Sequence, residues 1–381
     1  MFESLYPMIP RNRFIYHMQN NETRIGTDDN DIYSIMDSSK KWYRLLKLLD
    51  GEHSVRQVYD LYHPQQCLSF DSYRKVLAKL EKIGAVTFLS KPFHELDEYE
   101  KRKSDFTLYY GKGVDGEKTV RWLQGLTVAV LGSGVGGCLI ALELAELGVG
   151  SLKIVDPDIV DLQNLDHQLV YTQEDVGHPK VLALQKHINS RCKKCQVQTS
   201  VARIHNVADA LAEVNETDWV FCCMDEPPYV AQRIVNRACY IKSIPSLYAF
   251  SSRDSAKAFI VDPDITGCAD CLLSSEAANG LTQLVAALKK ADFSPITPTN
   301  AVSAAIEASW IVQKWLQKCI FNTASGGILY RFDFDAMQED KFVHFQRDSA
   351  CPTCGRQSPP NNSQRDLWKL ISIESQGTNV S

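Results

Sequence analysis

Features that would place the chain in a membrane, outside the cell or on nucleic acid are missing from its 381 residues. No apolar run is long enough to span a bilayer, and segment 1–13 lacks the apolar core of a secretory signal peptide. Basic residues show no excess, with 41 Lys and Arg against 46 Asp and Glu, and no internal repeat is present. The composition predicts a globular cytoplasmic protein with more than one domain, and it gives no support for nucleic-acid or membrane binding.

Cysteine, by contrast, is abundant, with twelve residues. Three pairs have the spacing Cys-x-x-Cys, namely Cys192 with Cys195, Cys268 with Cys271, and Cys351 with Cys354. Without a secretory signal, metal binding is a better interpretation of such pairs than a disulfide framework.

The most informative motif is the segment Gly-Ser-Gly-Val-Gly-Gly at 132–137. The pattern predicts a strand over Leu126–Leu131 before it and a helix over Leu139–Leu147 after it. A second strand, Ser151–Val155, ends at Asp156, which can accept hydrogen bonds from ribose hydroxyls. Glycines let the backbone approach a phosphate, and the helix N-terminus offers unpaired N–H groups. The segment predicts an adenine-nucleotide site; the alternative is a glycine-rich turn that only packs.

Polar residues follow the predicted strand ends, where an open α/β sheet binds ligands. They are Asp158, Asn164, Lys180 and Asp225. Lysine can neutralise phosphate charge, and aspartate can ligate Mg²⁺ directly or through water. This set suits a triphosphate with Mg²⁺ better than the hydride transfer of a dehydrogenase, which is the default interpretation of such a glycine turn.

The pattern of elements divides the chain into four parts. Residues 1–90 contain three predicted helices and a strand, which is typical of a small winged-helix (α+β) domain, and 91–123 read as a polar linker with one docking helix. Residues 124–356 alternate strands and helices, which predicts a Rossmann-like α/β domain with a mixed sheet. Its first four strands are expected to be parallel, and those from Pro245 onward antiparallel. The polar residues 357–381 are expected to be a mobile tail.

Together these motifs resemble the ubiquitin-activating type of adenylating enzyme, the family that includes ThiF and MoeB. The likeness covers roughly 102–355 and rests on the motifs above together with two short signatures and Asp225. The signatures are Asn164-Leu165-x-x-Gln168 and Asp175-Val176-Gly177-x-x-Lys180. The family activates a carboxylate with ATP, forming an acyl adenylate and pyrophosphate.

The resemblance implies a role for each motif. The nucleotide would be cradled by Gly132, Gly134, Gly136 and Gly137, with Asp156 on the ribose and Asp158 beside it. The phosphates would be reached by Asn164, Gln168 and Lys180, and Mg²⁺ would be held by Asp225. The alternatives are loop hydrogen bonding for Asn164 and Gln168, an exposed helix cation for Lys180, and helix capping for Asp225.

The chain departs from the family pattern at two places. His167 stands where the family has an arginine, and Ser104 stands at the second position of its upstream Arg-x-x-Arg. In the family that arginine pair acts across a dimer interface, so a homodimer is expected in which Arg102 or Lys103 substitutes. Missing arginines weaken charge stabilisation on the pyrophosphate. His167 is therefore a candidate catalytic residue, for example a general base; the alternative is a plain loop histidine.

Two of the cysteine pairs are candidates for a structural Zn²⁺ site. The four thiolates come from Cys268, Cys271, Cys351 and Cys354, and a set of four suits tetrahedral zinc. No coordination position stays open, so the role is expected to be structural only. The family pattern has a counterpart for these two pairs and none for the third.

The fate of the acyl group is suggested by a missing cysteine. Some family members transfer it to a cysteine in the loop after the first pair of zinc ligands, but segment 272–300 contains none. A nucleophile from the substrate itself is therefore expected to attack the adenylate. A helix over Leu281–Leu288 is predicted to lie over the site.

The N-terminal part bears on the substrate. Winged helices commonly bind DNA, but the third predicted helix mixes Asp71 and Glu81 with its basic residues, which indicates an ordinary solvated face. Ahead of an adenylating domain, the segment resembles the precursor-peptide recognition domains of ribosomal-peptide maturation enzymes, which add an extended leader peptide to a small sheet. Candidate edge elements are Arg13–Tyr16, Glu22–Ile25 and Ala85–Leu89; the alternative is a dimerisation or packing domain.

The combination resembles maturation enzymes of the microcin C and pantocin types. We expect ATP- and Mg²⁺-dependent adenylation of a carboxylate on a ribosomal precursor peptide, followed by intramolecular capture that gives a dehydrated or cyclised product. The pantocin type, which cross-links two glutamates, is favoured because of His167 and Ser104. Two alternatives stay open: activation of a sulfur-carrier protein ending in Gly-Gly, and a non-catalytic peptide-binding scaffold.

Overall fold

The computed structural model describes residues 2–11, 13–26, 32–66, 68–110, 114, 116–224, 230–251, 253–277, 300–321 and 327–355. The chain forms two compact units, Met1–Arg121 and Trp122–Ser381, and each is described by itself. Three features of the sequence analysis lie outside the described residues: the helix expected over 281–288, the tail 357–381, and Asp225.

The N-terminal unit combines short strands with short helices. Its strands are β1 (Tyr6–Met8), β2 (Ile15–His17), β3 (Glu22–Ile25), β4 (Tyr33–Met36) and β5 (Thr87–Leu89). The helices in this part of the chain are α1 (Lys41–Lys47), α2 (Val55–Gln66), α3 (Phe70–Lys82), α4 (Glu98–Tyr110) and α5 (Gly116–Gly125). β1 pairs with β5, and β2, β3 and β4 form a three-stranded antiparallel sheet in chain order.

Helix α3 shows how the core of this unit forms. It begins after Ser69, whose hydroxyl oxygen accepts a hydrogen bond from the backbone N–H of Ser72. Its Tyr73 and Leu77 recur at helical spacing and are fully buried, in one cluster with side chains of α1 and α2. Burial of a large apolar side chain contributes about 1.5–3 kcal/mol, so this shared face holds the three helices together.

Two expectations for the N-terminal part need correction. Glu22–Ile25 is not an edge element, because β3 is hydrogen-bonded to β2 on one side and to β4 on the other. Alternation within a short strand does not reveal its neighbours, which is why the sequence pattern could not exclude this. Segment 91–123 contains two helices, α4 and α5, where one was expected.

The C-terminal unit is built on a mixed sheet, with eight strands in the described part of the chain. They are β6 (Thr127–Leu131), β7 (Ser151–Val155), β8 (Gln196–Ser200), β9 (Trp219–Cys222), β10 (Ser246–Ser251), β11 (Ser255–Val261), β12 (Gly327–Asp333) and β13 (Gln338–Phe345). The spatial order is β13-β12-β11-β10-β9-β6-β7-β8. The predicted Rossmann-like mixed sheet is confirmed.

Strand direction changes within the sheet. Strands β8, β7, β6, β9 and β10 run parallel, and β11, β12 and β13 continue antiparallel. The strand after Pro245 therefore differs from the expectation, because β10 pairs parallel with β9 and antiparallel with β11. The central strand β6 is apolar on both faces, as a doubly covered strand must be, and buries Val128 through Leu131, whereas the outermost parallel strand β8 is polar.

Helices cover the sheet. They are α6 (Val135–Leu147), α7 (Lys180–Arg191), α8 (Val207–Val214), α9 (Val230–Lys242), α10 (Ala269–Ala277) and α11 (Ala301–Phe321). Helix α11 packs on α6 and carries Trp315, a fully buried ring within 6.1 Å of the rings of Trp219 and Phe221. Among the helices described, none combines the length and apolar character needed to cross a membrane.

The strand order has a switch point between β7 and β9. β6 lies between β7 and β9, so the chain leaves neighbouring parallel strands in opposite directions there. Ligands of open α/β sheets bind outside the carboxyl ends of the strands at such a switch point. The glycine-rich loop after β6, Asp156 after β7 and Cys223 after β9 all meet at this edge.

Candidate active site and cysteine cluster

The glycine-rich loop between β6 and α6 uses its four glycines in two ways. Gly132 has a φ of +94°, and a Cβ added there would lie 2.6 Å from the backbone oxygen of Cys223. A Cβ on Gly137 would lie 1.9 Å from the backbone oxygen of Gly132. Gly134 and Gly136 instead face open space, with no described atom within 4 Å. Packing requires the first pair, whereas the second leaves room for a phosphate to approach the backbone N–H groups that open α6.

Asp156, directly after β7, holds the glycine-rich loop in place. It is 5% exposed, and its Oδ2 accepts a hydrogen bond from the backbone N–H of Ser133 at 2.6 Å. Its Oδ1 accepts from the N–H of Asp158 at 2.8 Å. The hydroxyl of Tyr171 donates to the carbonyl oxygen of Ser133 at 2.7 Å, a contact that the sequence analysis missed. Carboxylate oxygens can each accept more than one hydrogen bond, so the ribose role of Asp156 stays a prediction compatible with this geometry.

Lys180 begins α7 and is buried. Its side chain is 8% exposed, and its Nζ lies 3.2 Å from Oδ2 of Asp158. Nη2 of Arg203 lies 3.5 Å from the other oxygen of Asp158, which is 50% exposed. The alternative of an exposed helix cation is therefore wrong. A buried ammonium beside a half-exposed carboxylate can exchange that partner for a phosphate oxygen, so the geometry fits the phosphate role, which stays a prediction.

The connection between β7 and α7 carries Asn164, His167 and Gln168 on and after a short 3₁₀ helix, Leu162–Asp166. Oδ1 of Asn164 accepts from the backbone N–H of Asp161 at 2.9 Å, which is the loop hydrogen bond considered as its alternative role. This bond uses the oxygen of the amide and not its NH₂ group. Gln168 is 4% exposed, and within the described chain its Oε1 has no hydrogen-bond partner. A buried acceptor without a partner is costly, and a bound donor would relieve that cost.

The turn before Lys180 is anchored by Asp175. Its carboxylate accepts a hydrogen bond from Nε2 of His187 at 2.6 Å and from the backbone N–H and hydroxyl of Thr172, both at 2.8 Å. Burial opposes ionisation of Asp175, but these hydrogen bonds outweigh it and lower its pKa to about 2. The hydrogen bond to His187 of α7 ties this turn to the helix that Lys180 begins.

Asp225, the candidate Mg²⁺ ligand, lies outside the described residues. β9 ends shortly before it, and the backbone of Cys223 already runs beside Gly132 of the glycine-rich loop. Mg²⁺ is usually held by one or two carboxylates plus phosphate oxygens, which is the chemistry predicted for Asp225. Its role stays a prediction.

The four candidate zinc ligands come together. All their sulfur atoms lie within 4.8 Å of one another, and all four residues, Cys268, Cys271, Cys351 and Cys354, are buried. The Sγ atom of Cys268 lies 3.5 Å from that of Cys351, and the Sγ atom of Cys271 lies 3.3 Å from that of Cys354. Tetrahedral Zn²⁺ with bonds of about 2.3 Å places its sulfur ligands about 3.8 Å apart. The donor set and spacing therefore fit zinc as a closed, structural site.

A buried polar network ties the two cysteine turns together. Asp270, inside the first turn, is fully buried and accepts from Nε of Arg233 at 2.5 Å and from the hydroxyl of Thr353 in the second turn. Nη2 of Arg237 lies 3.1 Å from the same Thr353 hydroxyl oxygen. Both arginines come from α9, and the sequence analysis missed them because they are distant in sequence from both turns. Four thiolates around one Zn²⁺ carry excess negative charge, which such guanidinium groups offset.

The expected substitutes for the family arginine lie on α4. Nη2 of Arg102 is 3.7 Å from Oε1 of Glu98, and Nζ of Lys103 is 2.8 Å from Oε2 of Glu117. The side chain of Ser104 lies outside the described part. A role for Arg102 or Lys103 across a dimer interface stays a prediction, and it would exchange these local carboxylates for phosphate.

A buried acid that the sequence analysis overlooked lies on α11. Glu307 is 9% exposed, and burial raises its pKa to about 7, although a hydrogen bond with Ser251 opposes the shift. The available signal was an acidic residue on the apolar face of a helix, one turn before Ile311 and two turns before Trp315.

Comparison with known proteins places these features in a family context. The model of the ThiF family matches residues 112–353. The chain is 27% identical over 277 residues to the sulfur carrier protein ThiS adenylyltransferase of Bacillus subtilis, covering 70% of this chain and 75% of that one. It is 28% identical over 250 residues to the adenylyltransferase and sulfurtransferase MOCS3 of Caenorhabditis briggsae, where the match spans 64% of this chain but 57% of the relative.

Solved structures resemble the chain over a greater length. Escherichia coli MccB with ATP matches with a TM-score of 0.68 and 18% identity, covering 92% of this chain and 99% of MccB. The microcin C7 biosynthetic enzyme MccB in complex with N-formylated MccA matches with a TM-score of 0.65 and 17% identity over the same shares. At such identities the likeness establishes the fold and leaves the substrate to be argued from the site.

Proposed function

Because the chain belongs to the ThiF family of adenylating enzymes, we propose that it uses ATP and Mg²⁺ to adenylate a carboxylate of a ribosomally made precursor peptide. The peptide then captures its own activated acyl group, which gives a dehydrated or cyclised product. The form we favour is a cross-link between two glutamates, as in the pantocin type. The enzyme acts in the cytoplasm as a homodimer with a structural Zn²⁺.

The observation that carries this proposal is the extent of the likeness to MccB. Since that match covers 92% of the chain, it includes most of Met1–Arg121 as well as the adenylating unit. The match with the Bacillus subtilis relative covers 70% of the chain. A formylated N-terminus marks a chain begun on a bacterial ribosome, so an N-terminal unit shared with an enzyme bound to N-formylated MccA supports a ribosomal peptide as substrate.

The N-terminal sheet offers a place for an extended leader peptide. β2 and β4 are its edges, and β4 is largely exposed, with Ile35 at 43% and Met36 at 66%. Phe14, just before β2, is 69% exposed. A leader that added a strand to β4 would pair with its backbone groups and contact Ile35 and Met36, as in other strand-addition complexes, whereas Phe14 lies at the opposite edge beside β2. We propose this edge, and not β3, as the recognition surface.

The nucleotide chemistry follows from the site. A carboxylate oxygen of the substrate attacks the α-phosphorus of ATP, a new P–O bond forms, and the bond to pyrophosphate breaks. Backbone N–H groups near Gly134 and Gly136 hold the phosphates, and Lys180 leaves Asp158 to neutralise their charge. Mg²⁺ held by Asp225 would supply further neutralisation. The amide of Asn164 and the buried Gln168 bind from the same side, and His167 beside them is a candidate general base.

Activation of a sulfur-carrier protein is the second candidate. The observation that favours it is that the sequence relatives reported above are named for sulfur-carrier adenylylation or for sulfur transfer. The same half-reaction would take place at the same nucleotide site, with a C-terminal Gly-Gly carboxylate in place of a peptide carboxylate.

Exchange of labelled pyrophosphate into ATP distinguishes the candidates. Purified enzyme with Mg²⁺ and ATP is incubated with precursor peptides encoded near its gene, or with a sulfur carrier ending in Gly-Gly. Exchange that depends on a peptide supports our proposal, and exchange that depends only on the carrier replaces it with the second function. Peptide binding without exchange would instead indicate a scaffold. Lys180→Met is the matched control, because it should bind the peptide normally and lose exchange.

A further inference from the structure

A buried carboxylate on the sheet side of α11 has no role in the chemistry described so far. Glu307 shares its helix face with Ala304 and Ile311 and is almost fully enclosed. Its partner is the hydroxyl of Ser251, which donates a hydrogen bond to the carboxylate. Carboxylates are rarely buried among apolar side chains without a cation, because removing the charge from water costs free energy. A functional role would explain why Glu307 is buried there.

Glu307 lies at the carboxyl edge of the sheet. Ser251 is the last residue of β10, and Cys223 directly follows β9. Within the sheet, Leu131 of β6 pairs with Cys222, and Cys222 pairs with Tyr248 of β10, so Ser251 lies three residues beyond that level, at the same end of the sheet as the glycine-rich loop. A Cβ on Gly137 would lie 3.1 Å from Cβ of Cys223. The hydrogen bond with Ser251 therefore places Glu307 at the end of the sheet that carries the glycine-rich loop.

The strand order assigns the two sides of the crevice. Asp156 follows β7, and Gln168 and Lys180 lie in the chain between β7 and β8, so the ribose and the leaving pyrophosphate are held on the β7 side of β6. Displacement at phosphorus is roughly in line, so the attacking oxygen enters opposite the leaving oxygen. The substrate carboxylate therefore arrives from the β9 and β10 side, where Glu307 and Ser251 lie.

We propose that Glu307 is the proton acceptor in the step that captures the activated acyl group, an inference that rests on the proposed function. An N–H or O–H nucleophile of the peptide forms a bond to the carbonyl carbon of the acyl adenylate, and its proton passes to the Glu307 carboxylate. The C–O bond to the phosphate breaks, and AMP leaves as an anion. Ser251 orients the carboxylate through its hydrogen bond.

The surroundings of Glu307 suit this role. With a pKa of about 7, the carboxylate is available as a base in neutral solution and can still hold a proton once it has one. Its hydrogen-bond partner is Ser251 of β10. A second acid whose pKa burial raises is Glu143 of α6, the helix that packs on α11, and its Oε1 accepts from the hydroxyl of Ser309 of α11 at 2.6 Å. Glu143 lies in the third turn of its helix, farther from the loop, and serves as a matched control.

Separate measurement of the two half-reactions tests the proposal. Glu307→Gln should keep peptide-dependent pyrophosphate exchange at close to the normal rate. Release of AMP with modified peptide should fall about 100-fold or more, the usual contribution of a general base. Acyl adenylate should accumulate in acid-quenched samples, and hydroxylamine, which is unprotonated at neutral pH, should restore AMP release. Glu143→Gln should leave both half-reactions unchanged.

A second variant guards against a folding defect in Glu307→Gln. The hydrogen bond from Ser251 holds down the pKa of Glu307, so Ser251→Ala should move the rise of capture rate with pH to a higher pH. An unmoved profile would overturn the proposal, as would equal loss of exchange and capture in Glu307→Gln, or loss of neither. A capture defect confined to His167→Gln would transfer the role to His167. Absence of exchange in the wild-type enzyme with every substrate would instead count against the proposed function.

Discussion

Replacement of Gly136 by alanine tests whether this glycine serves phosphate binding and not the packing of the glycine-rich loop. Gly136 is the second residue of α6, and a methyl group there meets open space. Alanine is favoured over glycine by roughly 1 kcal/mol in a helix interior, and we expect about half of that so close to the helix start. The free energy of unfolding of the nucleotide-free protein should therefore rise by about 0.5 kcal/mol, which raises Tm by roughly 1–2 °C.

The same methyl group should weaken ATP binding, because it occupies the space through which a phosphate reaches the backbone N–H groups. Loss of one hydrogen bond to a charged group costs about 1.5–3 kcal/mol, which corresponds to about a 10- to 150-fold higher Kd. Calorimetric titration with ATP gives the affinity, and thermal unfolding without nucleotide gives the stability. Gly137→Ala should instead damage both stability and ATP binding, since its Cβ would collide with the backbone oxygen of Gly132.

Gly125→Ala provides the control for this experiment. Gly125 ends α5, and a Cβ there also meets no described atom within 4 Å, but the residue lies outside the loop. Its substitution should leave ATP affinity unchanged. Unchanged ATP affinity in Gly136→Ala would refute the phosphate-cradle interpretation, and a marked loss of stability would refute the inference that this part of the loop is open.

Three other measurements address the remaining parts of the site. Lys180→Met should lower pyrophosphate exchange about 100-fold while the fold, checked by circular dichroism, is kept, because the phosphates lose a buried cation. The folded pKa of Asp175 is about 2, below the ordinary value of 3.8, so its contribution of about 2 kcal/mol is present above about pH 4 and is lost as pH falls towards 2. His187→Leu should flatten that part of the stability profile, measured by urea unfolding between pH 2 and 6. Arg237→Gln should weaken zinc retention about 10-fold against a chromogenic chelator.

The glycine-rich loop could be predicted because its information is local. Glycines between an apolar strand and a helix, with an acid at the end of the next strand, fix a β-turn-α unit through backbone conformation alone. The strand Ser151–Val155 has the predicted bounds. The hydrogen bonds from the Ser133 N–H to Asp156 and from the Tyr171 hydroxyl to the Ser133 carbonyl oxygen could not be predicted, because they depend on how three separate segments pack.

Features that depend on contacts between distant segments could not be predicted from the sequence, for a related reason. Periodicity identifies a strand but not its neighbours, so β3 was expected at an edge and β10 was grouped with the antiparallel strands. The spacing of each cysteine pair indicates a metal-binding turn, yet nothing in the spacing links Asp270 of one turn to Thr353 of the other. The sequence shows Glu307 as an acid on an apolar helix face, but only its hydrogen bond with Ser251 places it at the carboxyl end of β10.

Mass spectrometry of a single reaction tests the central claim most directly. The enzyme would be incubated with ATP, Mg²⁺ and a precursor peptide encoded beside its gene, and both the nucleotide and the peptide products would be weighed. The account predicts AMP together with a peptide that has lost water, with fragmentation locating the activated residue. Intact ATP and an unchanged peptide that nevertheless binds would contradict it.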